Sequence, residues 1–262
     1  MSQADVTSSG LGAAAARGTS ATGSRARLFD IDRAKGIAIL LVVVGHIGGR
    51  QPPPGADWYI VLKSVIYTFH MPFFMFLSGF VFYYVRNHSD ALPSFLHFLR
   101  TRSFRLLVPF FLFGLIIVFG KYFSQFVLHV DNFSGALGAN VINLFWYTAS
   151  SPALSIWYMF ALFVISMFAF LAHRMIANVE FWFVFSLLFF FVDVPAYMYL
   201  HKVFPVMPFF FLGGLVVARH DAYVEHVDRF GLYYIVVFLV ALVFGQTLLS
   251  TMEAQLICGL CA

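Results

Sequence analysis

Charge is scarce in this sequence. Asp, Glu, Lys and Arg make up 11% of its 262 residues, where a water-soluble domain draws about a quarter from that set. Cysteine is scarcer still: Cys258 and Cys261, in CGLCA, have no second pair and no neighbouring His. That excludes a disulfide scaffold and favours a fortuitous pair over a metal or redox site. Neither stands fourth from the end, so the stretch does not fit a prenylation signal. The first 27 residues, MSQADVTSSGLGAAAARGTSATGSRAR, lack aromatics and any continuous apolar core. Their small polar composition predicts a disordered tail over residues 1–28, with no cleaved signal peptide.

What the chain has in abundance is apolar surface. Hydrophobic residues make up 61% of it, 35 of them Phe, and the mean hydropathy is +0.86. This is the composition of a multi-pass membrane protein, so the lipid bilayer is its expected surroundings and the fold class is an all-α transmembrane bundle. The net charge of +4 is then read by loop position and carries no nucleic-acid signal.

A spanning helix needs about 20 largely apolar residues, and about seven stretches qualify: 33–50, 62–85, 106–128, 153–173, 179–195, 203–219 and 230–250. The transmembrane domain is accordingly placed at 29–250, followed by an irregular end at 251–262. Asp193 and Pro195 interrupt the apolar run between the fifth and sixth stretches, and a short interfacial or re-entrant helix is expected around Val141–Tyr147. Placing the N-terminus in the cytoplasm gathers Arg33, Lys35, Arg86, Arg100, Arg102, Arg105, Arg174, Arg219 and Arg229 inside. Mainly Arg50 and Lys202 are left outside.

Against that apolar background, a few polar residues stand out. Lys35 and His46 are eleven positions apart, which returns to nearly the same helical face about 16 Å along the axis. Ionisable groups at membrane depth face a cavity or a partner by default. Asp32 lies one turn before Lys35 and can pair with it. Snorkelling to the lipid interface is an equal account of Lys35, and an interhelical hydrogen bond would explain His46.

In the second stretch His70 precedes Pro72, which removes a backbone donor beside the imidazole, and Ser78 and Gly79 form a small-residue notch for close helix approach. A packing role accounts for His70 equally well. Arg100, Arg102 and Arg105 introduce the third stretch, with Pro109 inside it. Guanidinium groups recognise phosphate bidentately, while the positive-inside rule or lipid headgroups explain the same cluster. Lys121 lies within this stretch. Trp157 and Tyr158 open the fourth as an interfacial belt or a pocket lining.

Four stretches, DIDRAKGIAILLVVVGH, FHMPFFMFLSGF, RSFRLLVPFF and IWYMFALF, in that order, resemble acyltransferase family 3 of integral-membrane proteins, and most of all its branch related to fucose 4-O-acetylases. The family's first helix carries a basic residue, usually Arg, ten intervening residues and then His. Here Lys35 and His46 hold those positions, and Lys forgoes a bidentate phosphate contact. The resemblance covers residues 29 to 215 and fades beyond. Family members commonly have about ten spans and are longer, so the resemblance also implies a C-terminally truncated member.

That resemblance implies transfer of an acyl group, expected to be acetyl, from acyl-CoA to a hydroxyl of a carbohydrate or other cell-envelope acceptor in the plasma (inner) membrane. Acetyl-CoA is then a co-substrate, with no bound cofactor or metal. His46 and His70 would be the catalytic pair, an imidazole taking the hydroxyl proton as it attacks the thioester. Lys35, Arg102, Arg105 and Trp157 would bind substrate and donor, supported by Asp32, Ser78 and Gly79. Two other readings fit the same polar residues: a transporter or exporter of a small polar solute along Lys35, His46, His70 and Lys121, or an inactive truncated member. Haem held by His46 and His70 lacks a second ligand pair.

Overall fold

A computed structural model of the chain describes residues 29–47, 57–89, 93–127, 130, 133, 135–192 and 194–260. The predicted tail, Arg50, Asp131, Asp193 and Cys261 lie outside those residues, as do the side chains of His46 and Cys258.

A backbone in hydrocarbon has no water to bond, so it must satisfy its own N–H and C=O groups. Among the described residues the regular structure is helical throughout. The helices are α1 (Phe29–Ile47), α2 (Asp57–Asn87), α3 (Phe95–Arg102), α4 (Val108–Ser124), α5 (Leu137–Phe145), α6 (Trp157–Met175), α7 (Val179–Leu187), α8 (Leu200–Ala218) and α9 (His220–Leu260). A π-turn over Ser103–Leu107 fuses α3 and α4 into one rod. Val108 N–H reaches back to the Ser103 carbonyl across that turn, just before Pro109, which has no N–H to give.

Four rods are long and apolar enough to cross a membrane: Trp58–Asn87, Phe95–Ser124, Leu154–Met175 and Leu200–Ala218. They correspond to the second, third, fourth and sixth predicted stretches. The fifth is shorter than predicted. Val179–Phe191 measures about 20 Å against the roughly 30 Å of a bilayer core, because the chain leaves the helix before the Pro195 turn. The short helix expected around Val141–Tyr147 is α5, a few residues earlier. α9 continues through residues 251–260, where the sequence predicts an irregular end; TMEAQLI holds no Gly or Pro to stop it.

Helices meet in lipid through close packing, because lipid is as apolar as they are. The central pair is α2 and α8, which cross backbone to backbone. A Cβ on Gly79 would collide with the Phe210 carbonyl oxygen, and one on Gly213 with the Phe76 carbonyl oxygen. Around that crossing Met75, Tyr83, Ile165, Trp182, Phe210 and Phe211 form the main core. A smaller core joins Phe110, Leu144, Phe160 and Tyr199. The outward faces are apolar as well: Leu112 is 55% exposed, Ile116 56%, Val184 62% and Leu188 60%. A water-soluble protein would not tolerate that belt, and a bilayer requires it.

α2 and α8 both run unbroken through internal prolines, Pro72 in one and Pro205 and Pro208 in the other. Asn178 caps α7 by accepting from the N–H groups of Glu180 (2.8 Å) and Phe181 (3.2 Å). Arg219, at the end of α8, donates two hydrogen bonds to Glu180 at 2.9 and 2.6 Å, tying the start of α7 to the end of α8.

Candidate functional site

On α1 the inward stripe is set by helical spacing. Ala38 and Gly45 are buried, Lys35 and Val42 are half-buried, and Asp32 is exposed. A Cβ on Gly45 would meet the Ile66 and Tyr67 side chains of α2 at 3.4 and 3.5 Å, so the two helices approach closely there. His46 follows one turn after Val42 in α1; its side chain lies outside the described residues.

Val42 opens onto a cavity of about 960 Å³ walled by four elements. α2 contributes Tyr67, His70 and Pro72; the start of α6 contributes Trp157; the first turns of α8 contribute His201, Lys202 and Pro205. His70 is 2% exposed. Its Nδ1 lies 2.7 Å from the Ile66 carbonyl oxygen, an acceptor only, so Nδ1 carries the proton and Nε2 is the basic nitrogen of the neutral ring. Tyr67 meets the imidazole edge-on at 5.1 Å. The Lys202 ammonium lies over the Trp157 ring, 5.4 Å from its centroid.

A second cavity of about 480 Å³ opens at the other end of α2 and α6. Arg86, His97, Arg102 and Arg105 line it, with Phe82, Phe98 and Phe170 as apolar walls. The Arg102 guanidinium carbon stands 5.6 Å from the Phe82 ring and 5.3 Å from the Phe98 ring, which orients its fork. The separation between the cavities follows from helical rise. Twelve residues of α2 from His70 to Phe82, and thirteen of α6 from Trp157 to Phe170, correspond to about 18–20 Å.

The structure therefore brings Arg102 and Arg105 together, and places Trp157 in the other cavity, with His70. Ser78 and Gly79 line neither. The Ser78 hydroxyl donates to the Tyr158 hydroxyl (2.8 Å), which donates to the Phe74 carbonyl (3.0 Å), joining α2 to α6 between the cavities. Lys121 closes α4 and lines neither cavity.

Sequence reasoning missed His201 and Lys202, whose signal was a His-Lys pair just ahead of Pro205, a polar-proline combination like that of His70 and Pro72. Their position is fixed by buried contacts between the connections that precede α6 and α8. Thr148 Oγ1 donates to the Ala196 carbonyl (2.7 Å) and accepts from Tyr199 N–H (3.2 Å). The Ser151 hydroxyl donates to the Tyr199 hydroxyl (2.9 Å), which donates to the Leu144 carbonyl (3.1 Å). These bonds hold Met198 and Tyr199 in the left-handed region, at φ 49° and 56°, immediately before α8. Burial pushes the Tyr199 hydroxyl pKa up, against the Ser151 hydrogen bond, so it stays a neutral donor.

Part of the chain is similar in sequence to nodulation proteins. The Nodulation protein NolL of Mesorhizobium japonicum is 36% identical over 95 residues, 36% of this chain and 24% of that protein. The Nodulation protein NolL of Sinorhizobium fredii is 29% identical over 136 residues, 50% of this chain and 36% of that protein. The matches thus span about a quarter to a third of the curated relatives' lengths. No solved structure matches. The family profile described as an acyltransferase domain matches residues 28–260, well past the residue 215 at which the resemblance fades by eye, and the chain belongs to acyltransferase family 3.

Proposed function

We propose that this chain transfers an acyl group, acetyl foremost, from acyl-CoA to a hydroxyl of a carbohydrate or other envelope acceptor in the plasma membrane. The observation that carries the reading is the pair of cavities about 18–20 Å apart on the same two helices, one lined by arginines and one by a histidine of defined tautomer. A compact donor would need one site. Acyl-CoA keeps its phosphates and its thioester at opposite ends of a long pantetheine arm, so arginines at one depth and a base at another suit it.

Arg86, Arg102, Arg105, Arg174 and Arg219 lie toward one end of the rods, and that end faces the cytoplasm by the positive-inside rule, with the N-terminus on the same side. Arg102 and Arg105 hold the donor's phosphates. Lys35, on the inward stripe of α1 about 10 Å from Val42, supplies positive charge between the two sites. In the larger cavity a histidine takes the acceptor's hydroxyl proton while the oxygen bonds to the acyl carbon. The carbon–sulfur bond then breaks and the departing thiolate recovers the proton from the imidazolium. His46 is the first choice for that base. His70, with Nε2 basic, orients the hydroxyl or shares the proton path.

The test is transfer of radiolabelled acetyl-CoA into envelope material by membranes carrying the chain, His46→Ala or His70→Ala at equal protein level. Label incorporation that falls by about 100-fold or more in His46→Ala is the expected result. Undiminished transfer in both variants would remove the histidines from the reaction, and solute flux without covalent label would establish the carrier reading instead.

A further inference from the structure

Lys202 is the only Asp, Glu, Lys or Arg among the described residues lining the larger cavity. Its position is electrostatically unfavourable twice over, and an unmatched polar atom lies beside it. It sits in the first turn of α8, where a cation meets the positive end of the helix dipole. Trp157, whose ring it covers, begins α6, so a second helix presents its positive end at the same place. Beside it is His201, whose Nδ1 is buried and has no hydrogen-bond partner. A cation and two helix N-termini at the edge of a low-dielectric cavity create positive potential, and the described lining holds no carboxylate to offset it. Lipid phosphate would answer a lysine that reached outward. This one is half-buried and lies over an indole inside the cavity wall.

We propose that the end of the cavity formed by His201, Lys202 and Trp157 is a subsite for an anionic group, a carboxylate or a phosphate, carried by the acceptor. The inference rests on the acyl-transfer reading for the word acceptor, while the anion site itself can be tested without turnover. The lysine would pair with the anion, His201 would bond one of its oxygens, and the attached sugar would extend along the cavity toward His70. The acceptor's charge would thereby place its hydroxyl against the base.

Binding is measured on the purified full chain by tryptophan fluorescence with three probes: a glucuronate oligosaccharide, glucose 1-phosphate and a neutral maltooligosaccharide. At least one anionic probe is expected to bind about tenfold or more tightly than the neutral one. That preference should disappear in Lys202→Gln and survive in Lys202→Arg. Glucuronate and phosphate arms that differ identify which anion the subsite takes. Equal binding of all three, no binding of either anion, or an equal loss for charged and neutral probes in Lys202→Gln overturns the proposal. So does a preference that appears only in anionic-lipid nanodiscs and vanishes in zwitterionic ones, since the lysine would then serve the bilayer. Anion binding without label transfer would retain the subsite and reject the acyl-transfer reading; transfer indifferent to acceptor charge would do the reverse.

Discussion

Gly79 of α2 lies directly against the backbone of Phe210 in α8, so that a methyl group there would strike the Phe210 carbonyl oxygen and come within 2.7 Å of its carbon. The obstacle is backbone in the middle of a helix, which has no rotamer to yield. Gly79→Ala should therefore separate α2 from α8 and cost about 1–3 kcal/mol as overpacking does. Gly120→Ala, where a Cβ meets nothing within 4 Å, is the matched control and should be silent or mildly stabilising. Thermal unfolding in detergent distinguishes them. Equal melting temperatures for the two variants would contradict the close crossing.

The Ser78–Tyr158–Phe74 relay gives a second, polar test of the bundle. Ser78→Ala removes the first donor and leaves Tyr158 bonded to the Phe74 carbonyl, a loss of about 0.5–1.5 kcal/mol. Tyr158→Phe removes both bonds and strands the serine hydroxyl, and should cost more. In the double variant the stranded hydroxyl is gone, so the two losses should fall short of adding. Strict additivity in a double-mutant cycle would mean that the two hydroxyls do not meet.

Much of this architecture is legible in the sequence, and the limits have physical causes. His70 and the Arg102–Arg105 pair stand out because polar groups in or beside apolar runs are costly unless used. The notch at Ser78 and Gly79 is visible as two small residues, but its partners, Tyr158 and Phe210, are not, since helix pairing across 80 or more positions leaves no local mark. Lys202 reads only as a basic residue left outside, for the same reason. Only the contacts between Thr148 and Tyr199, 51 residues apart, show that α8 begins beside Trp157. The fifth stretch misleads because apolar composition sets where a chain can enter lipid, whereas the end of the helical run at Phe191 sets how far it goes.

Arg102 carries the prediction for the donor. Its guanidinium stands over both Phe82 and Phe98, and a lysine there would retain charge while losing the planar, bidentate fork and its delocalised contact with the rings. Arg102→Lys is expected to raise KM for acyl-CoA by about tenfold and leave kcat near its original value, the signature of binding lost equally in ground and transition states. Arg174→Lys is the control: Arg174 also stands over an aromatic ring, Phe170, at 5.6 Å, but lies outside the arginine-lined cavity, and its replacement should change neither constant. A fall in kcat with KM unchanged would move Arg102 from donor binding to the chemical step.

Thr148 offers a test of how the cavity is built. Its hydroxyl serves two segments at once, donating to the Ala196 carbonyl and accepting from the Tyr199 N–H, at a site with 0% exposure. Thr148→Val keeps the shape and removes both bonds, leaving a buried backbone donor without its acceptor, for a loss of about 1–3 kcal/mol. Thr148→Ser keeps the hydroxyl and should lose little beyond one methyl group, about 1 kcal/mol. The positive φ angles of Met198 and Tyr199 persist because such bonds over-determine them, so the valine variant should also let the start of α8 relax. Lys202 would then leave the Trp157 ring, which tryptophan fluorescence detects as altered emission in Thr148→Val and not in Thr148→Ser. Unchanged emission in both would show that α8 holds its own start, without help from the connection ahead of α6.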